Sequence, residues 1–181
     1  MKSLILMGAL LLLSVVSFGQ ETEFKFTREG FTDFVVTPID SATPNDLYKK
    51  TLEWIQVNYN TPSEVLKGQI ENQYIRIEGV SKNALCIKSF GTNTCSSVKY
   101  QIEISFKDGK YKFDAIELSQ YYAGGWYELS LYAPKLYYKD NGEIRPVYSQ
   151  YPENIENVFN SLNKSLSLFL KSEKVIPKTD W

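Results

Sequence analysis

Three carboxylates, Glu78, Glu103 and Asp114, each stand on the polar phase of a segment that alternates apolar and polar residues. Brought side by side, such groups can hold a hard cation such as Ca²⁺ through oxygen, or share a proton as an acid and base pair. The plainer reading is a solvated sheet face with Lys67, Arg76 and Lys112 as counter-charges, and it is preferred, because one wet face is ordinary for an antiparallel sheet. A second candidate lies in SQYYAGGWYELSLYAPKLYY, residues 119–138, with six tyrosines and a tryptophan. Tyr121, Tyr122, Trp126 and Tyr127 flank Gly124-Gly125, where a turn or bulge would splay rings outward. Exposed tyrosine and tryptophan bind sugars and peptides well, offering large area at small entropic cost. Packing, in the core or as a lid over the sheet, is the first expectation for such rings; a binding platform is the second.

Other chemistries are missing. The 181 residues contain no histidine. Ser-His and Cys-His nucleophile pairs, most zinc sites and the commonest general base go with it. No glycine-rich phosphate loop or internal repeat is present. No metal site or cofactor is expected. Basic and acidic residues number 20 and 21, without the basic cluster that a phosphate backbone demands.

The first residues address the compartment. Lys2, the apolar run Leu4–Val16 and Ser17-Phe18-Gly19 have the order of a secretory leader, 1–19, cut before Gln20. No later segment reaches the roughly eighteen apolar residues of a membrane span. The chain is expected to be exported, to the periplasm or beyond, where the two cysteines, Cys86 and Cys95, would pair as a disulfide.

The elements that must position these groups follow from periodicity. Residues 20–33 read as an irregular segment, with 34–172 as a single α+β domain and 173–181 as a tail. Phe34–Ile39 reads as an edge strand. Thr43-Pro44-Asn45-Asp46 supplies an N-cap, a proline and an acid for a helix burying Tyr48, Leu52, Ile55 and Tyr59. Four meander strands follow, Val65–Ile70, Tyr74–Val80, Val98–Phe106 and Tyr111–Leu118. The tyrosine-rich segment occupies 119–150. A final helix, Pro152–Lys171, carries the stripe Ile155, Phe159, Leu162, Leu166 and Phe169. Strand, helix, four-strand antiparallel meander and helix are satisfied by one sheet with both helices on one face.

Turns then set register. Asp108-Gly109 puts Glu103 opposite Asp114 and Ile104 opposite Phe113. With Cys86 facing Cys95, Ile77 falls opposite Ile104 and Glu78 opposite Glu103. A turn at Asn72-Gln73 brings Gly68 opposite Ile77 and Lys67 opposite Glu78. Lys67, Glu78, Glu103 and Asp114 form one open-face row, and Gln69, Arg76, Ser105 and Lys112 the next. A one-residue slip would mix the faces.

This order, with DLYKKTLEWIQVNYNTPSEVLKGQIENQYIRIEG, YQIEISFKDGKYKF and YSQYPENIENVFNSL, resembles a family of exported proteins from Bacteroidetes-type bacteria. That family is catalogued as a domain of unknown function with a TATA-binding-protein-like fold. The resemblance spans roughly residues 34–170 and implies the fold without implying an activity. A TATA-binding protein lays its open sheet face on DNA, but an acidic centre there would repel phosphates, so no nucleic-acid partner is expected.

The expected function is a non-catalytic binding or interaction module of the cell envelope, for a protein, glycan or peptide. The alternative is a small histidine-free hydrolase using the open-face carboxylates, which would need two carboxyls set in a cleft. Exported material is expected to begin at Gln20 by intact mass; a secreted form retaining Leu4–Val16 would refute the leader.

Overall fold

The computed structural model describes residues 22–172 apart from 90, 132 and 133. The expected leader and the tail 173–181 lie outside the described residues. Six strands, β1 (Phe34–Pro38), β2 (Leu66–Ile70), β3 (Tyr74–Ser89), β4 (Thr92–Lys107), β5 (Lys110–Tyr122) and β6 (Gly125–Glu128), form one antiparallel sheet. Their order is β1-β5-β4-β3-β2, with β6 alongside β5. Two long helices, α1 (Pro44–Asn58) and α3 (Tyr151–Lys171), flank it, and a single turn, α2 (Pro62–Val65), leads into β2.

Central β4 explains this arrangement. Val98, Tyr100, Ile102, Ile104 and Phe106 are all buried, while the residues between them stay part-exposed. The apolar edge meets Leu47, Trp54 and Ile55 of α1 and Ile155, Phe159 and Leu166 of α3 in one core. Helix α1 begins with a capping box, Thr43 and Asp46 each bonding the other's backbone N–H. The two helices are joined where Trp54 Nε1 donates to Ser165 Oγ at 3.0 Å.

The segment expected to be merely irregular contributes heavily to this core. Phe24, Phe26 and Phe31 are buried, and the rings of Phe24 and Phe31 stack at 5.3 Å. Asn160 on α3 accepts from Phe24 N–H at 2.8 Å and donates to its carbonyl at 3.0 Å. Glu156 accepts from Phe26 N–H at 2.8 Å. Side chains of α3 thus take the part of a neighbouring strand and satisfy a backbone that lacks regular structure. Each buried phenylalanine adds about 1.5–3 kcal/mol of hydrophobic stabilisation.

Register near the turns follows expectation in two places. Glu103 pairs with Asp114, Ile104 with Phe113, and Cys86 with Cys95. The disulfide is formed, its Cα atoms 4.0 Å apart. Three irregularities change the rest. Between Ser81 and Leu85, β3 carries two more residues than β4 does between Val98 and Ser96, so Ile77 faces Ile102 and Glu78 faces Gln101. The β2–β3 turn takes three residues, 71–73, so Gly68 faces Arg76. A bulge at Lys67 then returns Leu66 to the helix side opposite Ile77. Gln69, expected on the open face, pairs with Ile75 and accepts from Tyr48 Oη at 2.8 Å on the helix side. A further bulge at Ile116 switches the helix-facing set of β5 from Tyr111, Phe113 and Ala115 to Leu118 and Gln120.

One close approach depends on glycine. Gly79 faces Tyr100 across β3 and β4, and the Tyr100 phenol crosses the space a side chain would fill. A Cβ there would lie 2.6 Å from Tyr100 Cζ and 2.9 Å from Cε2. The phenol oxygen meets that of Tyr59 at 2.9 Å, and burial pushes both phenols above their ordinary pKa. Gly79→Ala is expected to destabilise the domain by about 1–3 kcal/mol through overpacking, read by urea unfolding; an unchanged midpoint would show that the ring has room to move.

Candidate functional site

The open face carries the carboxylates in two rows. Arg76, Glu103, Asp114 and Phe34 are aligned across β3, β4, β5 and β1. Glu78, Gln101 and Glu117 are aligned in the adjacent row. The expected single row of Glu78, Glu103 and Asp114 is thus broken, because the extra residues of β3 move Glu78 by two positions. Glu103 receives Arg76 through Nε and Nη2 on one oxygen, at 3.2 and 2.7 Å. Asp114 is 2.8 Å from Lys112 Nζ. Glu78 lies 3.5 Å from Lys67 and 3.9 Å from Lys99, and accepts from Gln101 Nε2 at 3.1 Å.

Glu78, Glu103 and Asp114 therefore each have a cation, while Glu117 accepts from Ser119 Oγ at 2.9 Å. Among the described residues no three metal-binding side chains converge. Desolvation raises the Asp114 pKa, with Glu103 and Asp33 adding to it against the hydrogen bond and charge of Lys112.

The aromatic candidates are exposed, against the first expectation of packing. Tyr121, Tyr122, Trp126 and Tyr127 keep 46, 69, 39 and 56% of their surface. Strand pairing brings them together at the end of the β5–β6 hairpin, with Tyr121 opposite Trp126 and Tyr122 opposite Gly125. The rings pair as Tyr121 with Trp126 at 5.2 Å and Tyr122 with Tyr127 at 6.4 Å, both edge to face. They do not share one face. The bulge at Ile116 places Tyr121 and Trp126 on the open side, where Lys99 Nζ lies 5.7 Å from the indole centroid. Tyr122 and Tyr127 take the helix side, in phase with Gln120, which accepts from Tyr151 Oη at 3.1 Å. The packing reading does hold further along the stretch, where Leu131 and Tyr137 are buried. The hairpin turns through Ala123 and Gly124, at φ 48° and 87°. Ala123 is a non-glycine residue in the left-handed region, a cost of roughly 1–2 kcal/mol.

Sequence reasoning missed a third feature. A hollow of about 220 Å³ opens on the same face, lined by Val36, Ser105, Lys107, Lys110, Tyr111 and Lys112. Its signal was present in Lys107-Asp108-Gly109-Lys110, since a two-residue turn sets its flanking lysines opposite each other.

Residues 34–120 match the model of a family described as "Domain of unknown function (DUF4468) with TBP-like fold". This stretch, just under half of the chain, is similar to the DUF4468 family. A DUF4468 family protein from Bacteroides ovatus superposes with a TM-score of 0.63 at 11% identity, over 82% of this chain and 91% of that one. A TBP-like protein from Parabacteroides distasonis gives 0.48 at 12% identity, over 76% and 87%. No curated protein matches the chain. The DUF4468 match and the Bacteroides ovatus structure agree with the α+β meander and its TBP-like topology. No helix among the described residues is long and apolar enough to cross a membrane.

The raised pKa of Asp114 sets a pH dependence. Its contribution to stability is fully present below the unfolded carboxyl pKa and is lost as pH rises through the folded value. Asp114→Asn should therefore gain on the parent between about pH 3 and 7, measured by urea unfolding across that range. The opposite slope would mean that Lys112 outweighs desolvation.

Proposed function

We propose that the domain is a non-catalytic binding module of the cell envelope, which engages an exported protein, glycan or peptide through Tyr121, Tyr122, Trp126 and Tyr127. The observation that carries this reading is the exposure of all four rings at the end of a strand-paired hairpin. Rings held on a ladder lose little freedom on binding, and large exposed aromatics are the usual anchors of an interface. Their division between two faces makes the hairpin end a wedge that a partner grips from both sides. The Tyr121–Trp126 pair adjoins Lys99 and, through it, Glu78, so the rim of that face is charged. Export is supported by the leader-like order of Met1–Gly19.

Tyr122→Ser and Trp126→Ser are the direct test. Being exposed, both should change stability by less than about 1 kcal/mol, and each should lose capture of the partner retained by the parent from a cell-envelope extract. Capture that survives in the double variant would refute the wedge. A melting temperature that collapses in Trp126→Ser would return the ring to ordinary packing.

A further inference from the structure

The basic hollow is separate from the aromatic wedge, and nothing in the proposed module uses it. It sits where β1, β5 and β4 end together. Lys107 pairs directly with Lys110 across the turn, and Lys112 pairs with Ser105 one row away. Like charges directly opposite each other on a ladder are destabilising. An acidic neighbour normally relieves such a pair, but among the described residues neither Lys107 nor Lys110 has a carboxylate within 4.0 Å. Asp108 in the turn and Asp40 in the adjoining loop make no ion pair with either. The Lys112 ammonium is held by Asp114 at 2.8 Å and lies 5.2 Å from the Phe34 ring centroid. Of the three ammonium groups only that of Lys112 is in contact with a carboxylate, so those of Lys107 and Lys110 stand without an ion-pair partner.

The scaffold around this charge is fixed. Gly109 accepts from Ile39 N–H and donates to the Ala42 carbonyl, both at 2.9 Å, so the β1–α1 loop clamps the turn that carries the lysines. Ser105 adds a hydroxyl with no hydrogen-bond partner among the described residues. Val36 gives an apolar wall, and Tyr111, whose ring is buried on the helix side, contributes its backbone. Lysines that only guard a sheet edge against pairing would need neither a hollow nor a clamped turn.

We propose that this hollow binds a phosphate monoester dianion, through Lys107, Lys110, Lys112 and the Ser105 hydroxyl. Two ammonium groups without an ion-pair partner suit a phosphate dianion. Ammonium groups act as point charges suited to a tetrahedral oxyanion, whereas a planar carboxylate is better matched by the guanidinium fork. A nucleic-acid strand does not fit, because its next phosphates would run onto Asp114 and Glu103.

The test is amide chemical-shift titration of the described domain within the full chain, at constant ionic strength. Inorganic phosphate and a hexose phosphate should each saturate shifts at Val36, Ser105, Tyr111 and Lys112. The Lys107→Gln/Lys110→Gln variant should bind at least about tenfold more weakly, a change of roughly 1.4 kcal/mol. Lys82→Gln, on the distant β3 arm, should bind as the parent does. Shifts with phosphatidate vesicles, absent with phosphatidylcholine vesicles and free phosphate, would assign the same chemistry to a lipid headgroup. Equal shifts with acetate and chloride, or no saturation with any phosphate, would overturn the site.

Discussion

The side-chain alternation of β4 governs the molecule. Its even-numbered residues from Val98 to Phe106 must meet the helices, because exposing that edge would return five large apolar side chains to water. Neighbouring strands can shift along β4 only in ways that keep their own apolar residues on the same side. The β3 insertion obeys this by adding two residues. The three-residue turn into β3 breaks the phase by one, and the Lys67 bulge restores it. On β5 the Ile116 bulge accommodates a sequence whose apolar positions change from odd to even.

What this parity leaves on the open side is a largely polar and charged surface. Charged residues there are arranged as cross-strand and same-strand ion pairs, exposed enough that each adds at most about 1 kcal/mol. Their effect is to neutralise the centre of the face. Only the two ends depart from that balance. At one end the β5–β6 hairpin carries unburied rings on both sides; at the other, lysines face lysines around a hollow. Both ends lie on strands whose other residues are locked into the core, so their side chains stand on a rigid support.

The N-terminal strap shows the same economy by another route. It does not join the sheet as a strand, and the outer side of β5 is taken by β1 and β6. Asn160 and Glu156 supply the hydrogen bonds that a strand neighbour would have given, and the N-terminal phenylalanines close the core between β5 and α3. Irregular backbone is stable here because its polar groups are individually satisfied.

The order of elements, the N-cap at Thr43 with an acid in the first turn, the apolar phase of β4 and the Cys86–Cys95 pairing were legible in the sequence. Each rests on local periodicity, a turn or a nearest-neighbour pairing, and local patterns report the side of a strand faithfully. The tyrosine density was legible too, but not its fate, since a ring's burial depends on whether another element covers it. Which carboxylates share a row was decided by bulges at Lys67, Ser81–Leu85 and Ile116. A bulge has no fixed sequence signature, although Ala115-Ile116 marks one as a change of apolar phase. The sequence by itself determined which face of β3, of β4 and of the first half of β5 is apolar, because that follows from a period of two. Only the tertiary structure decided how far each strand slides along its neighbour, because slides of two residues preserve the faces while separating Glu78 from Glu103.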